Sequence, residues 1–183
     1  QIICYNFFMK TFTYTLTNQT INSLIDFSIF KQEKNILIQI FCGDKKDILE
    51  NILYVLTKEL PNAICIGSST DGEINNCEIS TLKTVISISV FEKTTLEATY
   101  IEGANSFKNG EFLASKLCKK DTKVLLTFTD GAKTNGEEFL NGISSINDKI
   151  IVSGGMAGDN AHFTQTFISC QNKILTKGAV AVA

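Results

Sequence analysis

Arginine is missing from this chain: all 17 basic residues are lysines. The planar, two-pronged donor that usually grips carboxylates and phosphates is therefore absent, and an anionic ligand would have to be met by lysine or by backbone N–H groups. The formal net charge is -2, which argues against the concentrated basic face that phosphate neutralisation requires, so nucleic acid is not an expected partner. Histidine occurs once, at His162, and the six cysteines (Cys4, Cys42, Cys65, Cys77, Cys118, Cys170) include no C-x-x-C pair. Without metal-ligand spacings, no metal and no other cofactor is expected. Cys65 lies inside the apolar run Ala63-Ile64-Cys65-Ile66 and Cys118 ends an amphipathic stretch; both read as buried thiols acting as small hydrophobes, in a reducing compartment. No apolar run approaches the roughly 18 residues needed to cross a bilayer. Residues 1–8 lack the basic start and apolar block of a signal peptide. A soluble, cytoplasmic protein with no membrane insertion is expected, with Met9-Lys10 readable as a native start preceded by residues added in cloning.

What is present is enough for one compact domain, or two lobes around one core: 183 residues, 44% of them apolar and 20% charged. Residues 11–16 alternate as a strand does. A helix is predicted over residues 20–31, with Ile21, Leu24, Ile25 and Ile29 on one face and Thr20 as its cap. The run Ile36-Leu37-Ile38-Gln39-Ile40-Phe41 reads as a buried strand. A second helix follows over 44–59, striped by Ile48, Leu49, Ile52, Leu53, Leu56 and Leu60 and ended by Pro61. A strand at 63–66 then enters the polar turn Ser68-Ser69-Thr70-Asp71-Gly72-Glu73, and further strands are predicted at 83–91 and 96–101.

The pattern then starts again. A helix is predicted over 107–119 with Ser106 as cap, a strand over 124–128, and a short helix over 136–145. Asn135 with Glu138, or Thr134 with Glu137, forms a capping box at its start. A strand at 150–152 runs into Gly154-Gly155-Met156-Ala157-Gly158-Asp159-Asn160, and strands at 163–169 and 174–182 complete the unit. Both halves, about 20–103 and 106–183, read helix, strand, helix, strand, glycine-bearing turn, strand, strand. Asn35-Ile36-Leu37-Ile38 with Gly43 parallels Lys123-Val124-Leu125-Leu126 with Gly131, and Ile64-Cys65-Ile66-Gly67 parallels Ile151-Val152-Ser153-Gly154. The fold class is α/β, a layered architecture on a mixed sheet, with an internal duplication inferred. Alternating α/β chains look self-similar by default, but the turn after the second strand of each half is not explained that way.

Strand–helix–strand units of one hand end their parallel strands on one side, where ligands bind in open α/β sheets. The candidate ligand-binding residues are therefore the turn residues Ser68, Ser69, Thr70, Asp71 and Glu73, the loop residues Asp130 and Asn135, and Gly154, Gly155, Asp159 and Asn160, with His162 and Gln165 just beyond. Glycines permit close approach of the main chain and free amides for an anion; the hydroxyls and carboxylates of the first turn suit a zwitterion. Each feature also has a plain reading, because glycine and serine are ordinary turn residues. Thr129-Asp130-Gly131-Ala132-Lys133-Thr134 resembles a phosphate loop but lacks its glycine spacing, which argues against nucleotide hydrolysis. His162 beside Asp159 could serve a hydroxyl nucleophile, yet no nucleophile-elbow motif is present.

Several stretches together resemble the FIST N-terminal domain. They are Thr127-Phe128-Thr129-Asp130-Gly131 with Asn135-Gly136-Glu137-Glu138-Phe139-Leu140-Asn141-Gly142-Ile143, then Val152 to Asn160, Phe163 to Phe167, and Lys177-Gly178-Ala179-Val180-Ala181-Val182. Ile66-Gly67-Ser68-Ser69-Thr70-Asp71-Gly72-Glu73-Ile74 is similar to the family's Gly-Cys-Ser-Thr-x-Gly-Glu-Ile element, with Ser68 where that pattern often has Cys. The departure argues against a thiol nucleophile there. The resemblance implies a sensory module of bacterial intracellular signalling proteins, found beside diguanylate cyclases, histidine kinases and chemotaxis receptors. It implies small-molecule ligands, amino acids foremost, and a C-terminal FIST domain and output module as partners. The expectation is thus a non-enzymatic sensor for a small polar ligand, cut from a longer protein. The rivals are a hydrolase using a Ser or Thr hydroxyl with His162 and Asp159, and an interaction module without a ligand.

Overall fold

The computed structural model describes residues 9–17 and 20–183; Cys4 and the expected cloning-derived start lie outside them. The chain runs β1 (Met9–Leu16), α1 (Ile21–Leu24), a 3₁₀ turn (Phe27–Phe30), β2 (Asn35–Cys42), α2 (Lys46–Glu59), β3 (Ile64–Ser69), β4 (Glu73–Asn75), β5 (Glu78–Ser80) and β6 (Thr84–Phe91). It continues through β7 (Ala98–Ile101), α3 (Ser106–Leu117), β8 (Val124–Thr129), α4 (Gly136–Ser144), β9 (Ile151–Met156), β10 (Ile168–Cys170), β11 (Lys173–Leu175) and β12 (Ala179–Val182).

The class is α/β, and the strands form two mixed sheets and a small ribbon. One sheet has the order β1-β6-β2-β3-β10-β11, the other β7-β12-β8-β9, and β4 pairs only with β5. Side chains alternate across each strand, and the alternation sorts the core into three parts. Ile36, Ile38, Ile40 and Cys42 of β2 pack under α1 and α2, while Leu37 and Phe41 point the other way, into a layer shared with Phe128, Val180 and Val182. Ala179 and Ala181, on the opposite face of β12, pack with α3 and α4. The molecule is therefore layered helix, sheet, sheet, helix.

The two sheets share a strand order, in a phase that differs from the halves expected from the sequence. The orders β1-β6-β2-β3 and β7-β12-β8-β9 match, and so do the pairing senses: antiparallel, antiparallel, then parallel. Each unit thus begins on a strand, not a helix. β7, assigned above to the first half, is the first strand of the second unit. The hairpin β10–β11 crosses the boundary and pairs with β3 of the first sheet.

Four local expectations need correction. The helix over 20–31 is broken at Ile25, whose backbone is extended, and the Thr20 side chain makes no cap hydrogen bond. The Asp26 carboxylate instead accepts from the Ser28 amide at 3.0 Å and the Ser28 hydroxyl at 2.6 Å, a local bond that competes with helix continuation. The turn that follows buries Phe27 and Phe30 and leaves Ile29 exposed. The cap of α3 is Asn105, whose side chain accepts from Lys108 N, one residue before Ser106. Both glycine-bearing turns begin later than expected, because β3 runs on to Ser69 and β9 to Met156. Residues 163–167 are loop, and the segment 174–182 is split between β11 and β12.

α3 and α4 cross at two glycines. A Cβ on Gly110 would lie 2.1 Å from Phe139 O, and one on Gly142 would lie 2.0 Å from Phe107 O. Backbone cannot yield as a flexible side chain does. Gly110→Ala or Gly142→Ala should therefore destabilise the fold by about 1–3 kcal/mol, read as a lower urea midpoint with an unchanged slope.

Candidate functional site

The parallel pairs β2–β3 and β8–β9 each end in a polar corner. The Ile64–Ser69 strand is in register with Leu37 to Cys42, and the Ile151–Met156 strand with Val124 to Thr129. Both corners meet the crossing segment 157–167, which leaves the second sheet at β9 and enters the first at β10. Its contacts stitch the ends of four strands together. Ala157 N donates to Thr129 O at 2.8 Å, and Gly158 N to Ser69 O at 2.9 Å. Asn160 Nδ2 donates to Gly43 O at 2.9 Å, Phe167 N to Ser69 Oγ at 3.0 Å, and Gly131 N to Thr166 Oγ1 at 3.0 Å. Gly158 is the pivot: a Cβ there would come within 2.5 Å of the Asp71 carboxyl carbon.

The two turns singled out in the sequence therefore do converge, although much of their polar capacity serves the joint itself. Ser68 is buried and its hydroxyl donates to Ser69 O at 2.9 Å. Glu73 is buried, takes the Thr70 hydroxyl at 2.6 Å, and accepts from Lys83 N at 3.3 Å. Asp71 is exposed, and its carboxylate accepts a long bond from Ala161 N at 3.4 Å. It is the exposed carboxylate with the weakest hydrogen bonding at the seam.

Asp159 is a knot. Its carboxylate accepts from the amides of Phe163 at 3.0 Å, Thr164 at 2.7 Å and Gln165 at 3.2 Å. Donation from Thr164 N above all, joined by the Phe163 and Gln165 amides, holds the carboxyl below the usual carboxylate range against a smaller opposing effect of desolvation. The knot fixes a strained loop: Asn160, Ala161 and Phe163 all sit at positive φ, at 55°, 58° and 54°, where non-glycine residues are uncommon. Phe163 is 92% exposed, so core packing does not account for it.

Other expected site residues serve elsewhere. Asp130 is buried and ties the β8–α4 loop to the start of β12, accepting from Lys133 N, Thr134 Oγ1 and Gly178 N. Asn135 caps α4 by accepting from Glu138 N at 3.1 Å, as the capping box implied. Gly154 and Gly155 lie in the exposed strand β9, not in the turn. His162 Nδ1 is 2.7 Å from the backbone oxygen of Asp159, not its carboxylate, so the pair is not an imidazole–carboxylate dyad. Gln165 is exposed beside the knot. Gly43, Thr166 and Phe163 were not among the expected ligand-binding residues; their signals were the Gly43–Gly131 parallel and the Phe163–Phe167 stretch noted above.

Burial raises the thiols of Cys42, Cys65 and Cys170, the last to about 11, which leaves them protonated and poor nucleophiles. Among the described residues no group of three or more His, Cys, Asp or Glu side chains could hold a metal ion, and no helix is long and apolar enough to cross a membrane. Two hollows lie away from the joint. One is a cleft of about 730 Å³ at the opposite ends of the strands, and the other a groove of about 390 Å³ beside α1 and α2.

Asp159→Ala should leave the sheets intact and speed amide exchange at Phe163, Thr164 and Gln165. In the unsubstituted chain a carboxyl with a lowered pKa contributes its full share above the ordinary value and loses it as pH falls through the lowered one. Protection of the Thr164 amide, relative to an unstructured peptide at the same pH, should therefore hold at neutral pH and fall only below about pH 4.

The sequence agrees with this picture from β2 onward. The family model described as FIST N domain matches residues 36–183, which takes in both parallel strand pairs, the crossing segment and the second helix layer. No curated protein matches the chain. The chain belongs to the FIST N domain family, a family of signal-transduction sensor domains.

Proposed function

We propose that this chain is the ligand-receiving module of a bacterial cytoplasmic signalling protein, and that it binds a small polar molecule, without catalysis, on the seam where segment 157–167 crosses the end of β3. The observation that carries the reading is the strained loop at Asn160, Ala161 and Phe163, held by the single Asp159 carboxylate directly over Asp71. Strain of this kind persists only where the surroundings over-determine it, and it concentrates at ligand clamps. The exposed Asp71 carboxylate suits an ammonium group. The polar side chains of Asn160, His162, Thr164 and Gln165 lie close enough in sequence to meet the rest of a zwitterion such as an amino acid. The amides already serving Asp159 and Ser69 would remain structural.

Placement supports a sensing role. The same few hydrogen bonds join the two sheets, so a molecule that favours one setting of the loop favours one setting of the sheets. A C-terminal FIST domain and an output module would read that setting. A thermal-shift screen against amino acids, small amines and small carboxylates tests the proposal. At tenfold excess over Kd a ligand should raise the melting temperature by about 3–6 °C. Asp71→Asn should remove that rise while leaving the ligand-free melting temperature nearly unchanged. A flat response to the whole panel overturns the reading.

A further inference from the structure

The layer between the sheets is filled unevenly. Near the carboxyl ends of β2 and β8, Phe41 and Phe128 meet edge to face with centroids 5.7 Å apart. Toward the amino ends the layer is built from Leu37, Ala98, Leu126 and Val182, with Phe91 and Leu96 at its margin. Protein interiors pack to crystal density and leave few voids larger than a water molecule. Here the same layer opens into the cleft of about 730 Å³, within the range of small-molecule sites.

The lining is amphipathic. Phe91, Leu96 and Leu126 present partly exposed apolar surface, backed by the buried Leu37 and Val182. Lys119, Lys123, Glu97 and Asp121 stand around it. Lys119 bonds to Glu97 in a pair whose side chains are 59% and 52% exposed. Exposed pairs of this type contribute little stability, so a ligand carboxylate can replace Glu97 as the partner of Lys119. Lys123 is exposed at the start of β8. Lysine offers a compact point charge, which fits one carboxylate better than it fits the planar, two-pronged recognition typical of arginine.

The geometry points to a second binding site, distinct from the seam: we propose that the inter-sheet cleft takes a small amphiphile, an acyl chain with a single carboxylate head. The chain lies against Phe91, Leu96 and Leu126, and the head meets Lys119 and Lys123. Residues 92–97, which lead from β6 of the first sheet to β7 of the second, form one wall. An occupant therefore touches both sheets and the segment joining them. The site does not depend on the polar-ligand reading.

Calorimetric titration with sodium octanoate and decanoate tests it, with octanol and octylamine as head-group controls and amide-shift mapping as the second readout. The carboxylates should bind saturably and move the amides of Leu96, Leu126 and Val182, leaving Asp71 and His162 unmoved. Lys119→Gln with Lys123→Gln should weaken octanoate by about three- to tenfold and leave octanol unchanged. Leu126→Phe, which fills the cleft with apolar volume, should abolish binding while the thermal melt stays cooperative. No saturable binding by either carboxylate, shifts confined to the α1–α2 groove or the seam, or undiminished binding to a folded Leu126→Phe variant would each overturn the site. Equal affinity for octylamine would overturn the anionic head.

Discussion

Burial of one apolar layer between two mixed sheets is the constraint on which the rest of this structure depends. Each sheet has two faces to cover. The outer faces are covered by helices, α1 and α2 on one side and α3 and α4 on the other. The inner faces cover each other through Leu37, Ile66, Phe128, Ile168, Val180 and Val182. Because strand side chains alternate, a one-residue slip in β2 would turn Ile36, Ile38 and Ile40 inward and Leu37 outward. Both layers hold the register, and the register places the strand ends.

That layer also separates two kinds of chemistry. At the carboxyl ends, the aromatic contact of Phe41 with Phe128 fills the space between the sheets, so polar groups are pushed to the rim and must satisfy one another. The Ser69 carbonyl and hydroxyl both accept from segment 157–167, and buried Glu73 takes the Thr70 hydroxyl. At the amino ends the layer opens beside Phe91, Leu96 and Leu126, and the rim carries charges of both signs. A FIST N domain is a sensor, and in this member the segments that join the sheets, 92–97 and 157–167, lie at opposite ends of the same layer. Either could transmit a change in sheet spacing.

Much of the fold was legible because its signals are local. The stripe from Ile48 to Leu60 is a helix wherever it sits, and the Ile36 to Phe41 run has to be a buried strand. Asn135 specified the start of α4 by capping Glu138 N with its own side chain, although Asn135 N is met by Ser106 Oγ and not by Glu138 as a full capping box would have it. The failures share a cause. The Asp26–Ser28 bond broke a helix whose apolar spacing looked adequate. The polar strand ends Gly67-Ser68-Ser69 and Gly154-Gly155-Met156 read as turns, because nothing in their composition shows that a neighbouring strand is there to pair with them.

For the candidate site the division is sharper. Composition and chain order alone determined that an anion has no arginine to meet it and that a polar corner follows a strand in each half of the chain. Only tertiary structure decided which corner residues are free. Asp130 has the same chemistry as Asp71, yet Asp130 is consumed by a loop tie, as Asn135 is by a helix cap and Asn160 by the Gly43 carbonyl, while Asp71 stays exposed. Hydrogen bonding is directional and exhausts its donors and acceptors, so a polar residue's role depends on which groups the fold brings within about 3 Å. The cleft likewise has no sequence signature: Phe91, Leu96 and Leu126 look like any core residues until two sheets are laid face to face and the margin between them is left open.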